Sequence, residues 1–201
     1  KKKKIQAVYS HQDILKVLSA IKNEKQKAIL ALIIDGGLRI SEPCNILLTD
    51  CNSKQGSITL RYSKGDNDRV IYPSPYVWEL IKKYWNAWGN EAPKKYLFEG
   101  QIPSEPMSSK AIQWQVWEAY ELAGLKDKKQ RVHTLRHTFA THLLDAGVDI
   151  HTIKELLGHA KIETTMVYLH LQKHTQLGIQ SPLDVLRQLH TPQDGAAAKS
   201  V

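Results

Sequence analysis

Toward its carboxyl end the chain carries His133-Thr134-Leu135-Arg136-His137, then Leu157-Gly158-His159, then Tyr168. A guanidinium, several imidazoles and a phenol in one stretch suit phosphate chemistry. A phenol attacks a phosphodiester usefully only where fixed positive charge neutralises the anionic phosphorus and hydrogen-bond donors hold the transition-state oxygens. Upstream, Arg39 stands in Gly36-Gly37-Leu38-Arg39-Ile40-Ser41-Glu42 and Lys64 in Tyr62-Ser63-Lys64-Gly65-Asp66-Asn67-Asp68-Arg69. Taken singly, an arginine is usually a surface charge and a tyrosine usually packing. The ordered set gives them meaning. A metal site is the competing use of His133 and His137, four residues apart, but Thr134 replaces the glutamate of the zinc-hydrolase motif and no acidic third ligand has a motif spacing.

The order Arg39, Lys64, His133-x-x-Arg136, His159, Tyr168 resembles the tyrosine recombinases, or phage-integrase family, and the resemblance runs from about Tyr9 to Leu189. It implies that Arg39 and Arg136 grip the scissile phosphate with planar donor forks and that Glu42 orients Arg39. Lys64 would protonate the departing 5′-oxygen. His133 and His159 would donate to the nonbridging oxygens or relay the tyrosine proton, their division of labour left open. Tyr168, in Thr164-Thr165-Met166-Val167-Tyr168-Leu169-His170, would be the nucleophile. Pro43 departs from the family's usual leucine, at little cost in a first helical turn.

The activity so implied is that of a site-specific DNA recombinase or integrase of the bacterial mobile-element type. It would cut and rejoin double-stranded DNA through a 3′-phosphotyrosyl intermediate, with no metal, ATP or other cofactor. It would assemble as a tetramer on DNA, in the cytoplasm and away from membranes. Two other readings are compatible with the same fold: a catalytically inactive DNA-binding regulator, and a type IB topoisomerase.

The elements that must position these groups follow from local patterns. Ser10 with Asp13 marks a helix start, followed by Ile14, Leu15, Leu18 and Ile21. A second helix, about 24–35, stops at Gly36-Gly37, and Ser41 is expected to cap a third with Glu42 and Pro43 in its first turn. From 57 to 72 the period becomes two, with Ile58, Leu60 and Tyr62 on one face, a turn at 65–68, then Val70 and Tyr72. That is a β-hairpin with Lys64 near its tip. Pro75 opens an amphipathic helix through Val77, Leu80, Ile81, Tyr84, Trp85 and Trp88; another, about 109–123, carries Ile112, Val116, Trp117 and Tyr120. Thr134 is expected to cap the helix of Arg136, and Asp149 the next, which ends at Gly158.

These elements predict an α+β fold, mainly α-helical, with a small sheet or hairpin at one edge: the tyrosine recombinase catalytic fold. The expected organisation is a basic linker at 1–8, a catalytic domain at 9–190 closing with a helix at about 181–189, and a disordered tail at 191–201. The core-binding domain that such recombinases carry has no room before Tyr9. A chain of 201 residues with 42% hydrophobic content supports one ordinary core. Its formal charge of +8 suits a polyanionic partner. Cys44 and Cys51 form no disulfide framework, which points to a reducing compartment, and no leader or membrane-length apolar run is present.

Overall fold

The computed structural model describes residues 8–61, 68–88, 92–125 and 132–169. Lys64, the helix expected at about 181–189, the tail expected at 191–201 and nearly all of the linker expected at 1–8 lie outside the described residues. Helix α1 (His11–Ala20) starts at a reciprocal cap: Ser10 Oγ accepts the Asp13 N–H and the Asp13 carboxylate accepts the Ser10 N–H, both at 3.1 Å. Asn23 Oδ1 accepts the Gln26 N–H at 3.0 Å to start α2 (Glu24–Gly36). Residues 28–33 of α2 are all buried, so this helix has almost no solvent face, and α4 (Pro75–Trp88) and α6 (Val132–Asp145) pack on it while α1 packs mainly on α5 (Ser109–Leu122).

Gly37 ends α2 in the left-handed conformation, φ 58°, where its N–H reaches Ile33 O. Glycine is needed for a second reason: a Cβ there would lie 2.4 Å from Phe139 Cδ1. Next comes α3 (Glu42–Asn45), and here the expected cap is absent. Ser41 makes no side-chain bond to the helix; the Glu42 carboxylate instead accepts the Arg39 N–H at 2.7 Å. Ser41 is itself in helical backbone geometry, φ −80° and ψ −19°, whereas a capping residue needs an extended one.

Strands β1 (Cys51–Asn52), β2 (Ser57–Leu60) and β3 (Arg69–Ile71) form an antiparallel sheet in sequence order, with Ile58 opposite Ile71 and Leu60 opposite Arg69. The hairpin is therefore extended by a third short strand. Its last strand has the opposite phase to the one expected. Val70 and Tyr72 are 47% and 74% exposed, whereas Arg69 and Ile71 face inward. The apolar alternation misled because a charged side chain occupies the inward position and is compensated there.

Helix α4 (Pro75–Trp88) buries Val77, Leu80, Ile81 and Tyr84, and α5 (Ser109–Leu122), capped by Ser108 Oγ, buries Ile112, Val116 and Tyr120. Trp117, expected inward, is 44% exposed. Helix α6 (Val132–Asp145) begins before Thr134, which lies inside its first turn and does not cap it. The Thr134 carbonyl accepts the Thr138 hydroxyl at 2.9 Å. Asp149 does cap α7 (Ile150–Leu157), which ends at Gly158 with φ 63°, and the short α8 (Ile162–Met166) follows.

Two apolar clusters result. The larger joins α1, α2, α4, α5 and the sheet; the smaller unites Ala140 and Leu144 of α6, Ile153 and Leu157 of α7, and Tyr168 beyond α8. Burying one such aliphatic side chain contributes about 1.5–3 kcal/mol, enough for the smaller cluster to hold α6, α7 and the turn after α8 in register. Among the described residues no helix is long and apolar enough to cross a membrane.

Candidate active site

The helix α7 terminus organises the cationic groups. A helix leaves its last carbonyls without intrahelical partners and carries partial negative charge at that end. Gly158, in left-handed geometry, turns these carbonyls toward three arginines. Leu157 O accepts from Arg136 and, at 2.8 Å, from Arg69; Gly158 O accepts from Arg39 at 3.3 Å. Arg136 is 2% exposed and also donates to Gly37 O at 2.7 Å, so α6, the α2–α3 joint and α7 are tied at one guanidinium. Burial lowers the Arg136 pKa to about 10, opposed by Glu42 and assisted by Arg39 and Arg69. It stays charged at neutral pH.

Arg39 keeps a third of its side chain exposed and approaches Glu42 at 3.5 Å. Glu42 is 6% exposed and takes a closer pair of bonds from Arg69, at 3.1 and 3.3 Å. Arg39, His133, Arg136 and His159 all line one cavity of about 480 Å³, together with Gln113 and Thr164. Four residues expected to act together are thus brought together from the α2–α3 joint, α6 and the turn after α7.

Tyr168 sits behind this lining, 2% exposed. Its ring stacks nearly parallel to His159 at 6.5 Å and meets His137 edge-on at 5.2 Å. Burial raises the phenol pKa, and Arg136 and Arg39 pull it down. His133 is held below the ordinary imidazole range by desolvation, then by Arg136 and Arg39, which leaves a neutral ring able to accept a proton. His159 Nδ1 lies 2.8 Å from the hydroxyl of the fully buried Thr165, a contact that fixes the ring plane. Lys64, the expected acid, is outside the described residues.

Three contributors were not singled out from sequence. Arg69 is one, hidden by the strand's apolar alternation. Thr165 is another; its place six residues after His159 in a short helix was the available signal. His137 is the third: it is 6% exposed, neither ring nitrogen has a hydrogen-bond partner among the described residues, and it packs against His133 at 4.3 Å as well as Tyr168. Of the histidines given no chemical role, His142 binds Tyr9 O at 2.9 Å and stacks on His11, while the His151 N–H donates to Asp149. His170 and His174 lie outside the described residues. Among the described residues no three His, Cys, Asp or Glu side chains gather as a metal site would need.

Comparison with known proteins agrees with this fold. Residues 7–175 match the phage integrase family. Tyrosine recombinase XerA of Pyrococcus furiosus is 35% identical over 176 residues, which cover 85% of this chain and 60% of the relative. The crystal structure of XerA recombinase superposes with a TM-score of 0.76 at 27% identity, covering 96% of this chain and 67% of that one. XerH site-specific recombinase bound to difH substrate, in a pre-cleavage complex, gives a TM-score of 0.72 at 25% identity over 83% of this chain and 51% of that one. The chain spans about half to two thirds of the length of these relatives. With a mainly helical body, a three-stranded sheet and a cavity of guanidinium and imidazole groups before a tyrosine, the chain belongs to the phage integrase family and has the catalytic fold of the tyrosine recombinases.

Proposed function

We propose that this chain is the catalytic part of a site-specific recombinase that breaks and rejoins double-stranded DNA. The observation that carries the reading is the shared cavity of Arg39, His133, Arg136 and His159 with the Tyr168 ring packed against its back. The Tyr168 phenolic oxygen attacks phosphorus, the bond from phosphorus to the 5′-oxygen breaks, and a 3′-phosphotyrosyl link forms. The phenol proton passes to the neutral imidazole of His133 or to His159, and the 5′-oxygen takes a proton from Lys64. Arg39 and Arg136 neutralise the charge that builds on the nonbridging oxygens. Attack by the 5′-hydroxyl of a partner strand reverses these steps, so the phosphodiester bond energy is kept.

DNA as partner is supported by the complex of XerH with its difH substrate. A tetramer on DNA, action in the cytoplasm and a role in moving genetic elements complete the proposal.

The test is covalent trapping on a nicked suicide DNA substrate. The unaltered chain is expected to give a slower band on a denaturing gel, and Tyr168→Phe to bind DNA without that band. A covalent band persisting in Tyr168→Phe removes the assignment. An unaltered chain that shifts DNA and never becomes attached to it supports the inactive regulator instead, and relaxation of supercoils without a preferred site supports the topoisomerase.

A further inference from the structure

Thr165, in α8, is fully buried and joins two groups of the candidate site. Its hydroxyl lies 2.8 Å from His159 Nδ1, and its carbonyl accepts the Tyr168 N–H at 3.0 Å. The His159 backbone is pinned from the other side, where its N–H donates to Lys154 O at 3.1 Å as α7 ends. Backbone and ring are thus fixed from two helices, and the imidazole plane lies within 9° of the Tyr168 ring.

The same contact decides where the imidazole proton sits. A threonine hydroxyl has one proton to donate, and a buried hydroxyl proton without an acceptor is costly. Among the described residues, the acceptor within reach of the Thr165 hydroxyl is His159 Nδ1. Donation to Nδ1 satisfies that proton, whereas an Nδ1–H donating to the hydroxyl oxygen strands it in the interior. In a neutral imidazole the accepting nitrogen is the bare one, so the proton sits on Nε2. His159 lines the cavity, and with Nδ1 turned to α8 its Nε2–H is the polar group it brings there.

We infer that Thr165 is a positioning residue that holds His159 as the Nε2–H tautomer, a donor toward a nonbridging phosphate oxygen, and so leaves the phenol proton to His133, the other imidazole lining the cavity. On attack the phenolic oxygen bonds to phosphorus, its proton passes to a ring nitrogen of His133, which becomes an imidazolium, and the Nε2 proton of His159 stays in place. Desolvation, Arg136 and Arg39 favour the neutral His133 ring that this step starts from.

This inference rests on the phosphodiester-cleaving reading, and its first measurement needs no DNA. Nitrogen-15 NMR of the 201-residue chain, labelled on histidine, is recorded at about pH 8, where an ordinary imidazole is neutral. The His159 signals are those missing from His159→Gln. Nδ1 is expected at the shift of a bare nitrogen and Nε2 at that of a protonated one. In Thr165→Val the two shifts should move toward each other as the tautomers exchange, and Thr165→Ser, which keeps the hydroxyl, should restore the original pair. A proton on Nδ1 in the unaltered chain, or a Thr165→Val pattern equal to the unaltered one, overturns the inference.

The second measurement is single-turnover cleavage at saturating suicide DNA. Thr165→Val is expected to slow it by about 10–100-fold, the range in which a metal-bound histidine suffers from losing its outer hydrogen-bond partner, and Thr165→Ser to stay within about threefold of the unaltered chain. In a His159→Gln background Thr165→Val should add less than about twofold, because its effect passes through that ring. Slowing by the full product of the single effects overturns the inference and makes Thr165 a packing residue. Should Thr165→Val not fold, the nitrogen shifts of the unaltered chain and of Thr165→Ser carry the test. Failure of the unaltered chain to form any covalent complex sinks the functional reading and leaves the tautomer result standing.

Discussion

At the scale of single residues, the site depends on buried groups held in one ionisation state. His137 is the sharpest case. Desolvation, His133 and Arg136 lower its pKa to about 4, against an ordinary imidazole near 6.5. The folded chain therefore binds fewer protons than the unfolded chain between pH 6.5 and 4, and stability falls as pH drops through that window. Above pH 6.5 both states hold a neutral ring and the group adds no pH dependence. The full loss is on the order of 3 kcal/mol for a shift of this size. His137→Leu should flatten the fall in melting temperature between pH 7 and pH 5, and an unchanged acid limb would show that another group governs it. The same burial makes His137 hard to notice in a sequence: it follows Arg136 in a motif where His133 draws attention, and its lack of partners becomes visible only once Tyr168 is packed against it.

At the scale of elements, legibility followed the range of the chemistry. Helix starts at Ser10 and Asp149 were readable because the cap and its N–H lie within three residues of each other. Arg69 was not readable, since its partners Glu42 and Leu157 are 27 and 88 positions away and a period-two pattern favours apolar residues inside. Ser41 and Thr134 were misread for a related reason: both carry capping hydroxyls, but both stand in helical backbone, Ser41 at φ −80° and ψ −19° and Thr134 inside α6. The α2–α3 joint, in contrast, was legible at Gly36-Gly37 and is open to test. Gly37→Ala meets a left-handed backbone, about 1–2 kcal/mol, and a collision with Phe139 that overpacking experience puts at about 1–3 kcal/mol more. Gly124→Ala is the control, with φ 72° and no heavy atom of the described residues within 4 Å of the new Cβ, so it should cost the backbone term alone. Urea unfolding of both variants gives the difference directly. Gly37→Ala should also slow DNA cleavage, because Gly37 O is a partner of the Arg136 guanidinium and moves with the joint.

At the scale of the whole molecule, two electrostatic layers do different jobs. The formal charge of +8 is spread over 28 Lys and Arg residues, while Arg69 and Arg136 are buried and one of the cationic site charges is matched by Glu42. Exposed cations act through solvent, where salt screens them within about 8–10 Å; buried ones are screened much less. Binding to DNA displaces counterions, and with about four phosphate contacts a slope of −0.9 per contact makes affinity fall on the order of 10²-fold between 50 and 200 mM salt. The cleavage rate at saturating DNA should change far less over the same range, because the Arg136 guanidinium, enclosed by Gly37 O and Leu157 O, meets few mobile ions. Titrations by fluorescence anisotropy give the first slope, and single-turnover rates give the second. Two equally steep slopes would mean that the cations reaching phosphate are solvated, and would contradict a cavity built from enclosed guanidinium groups.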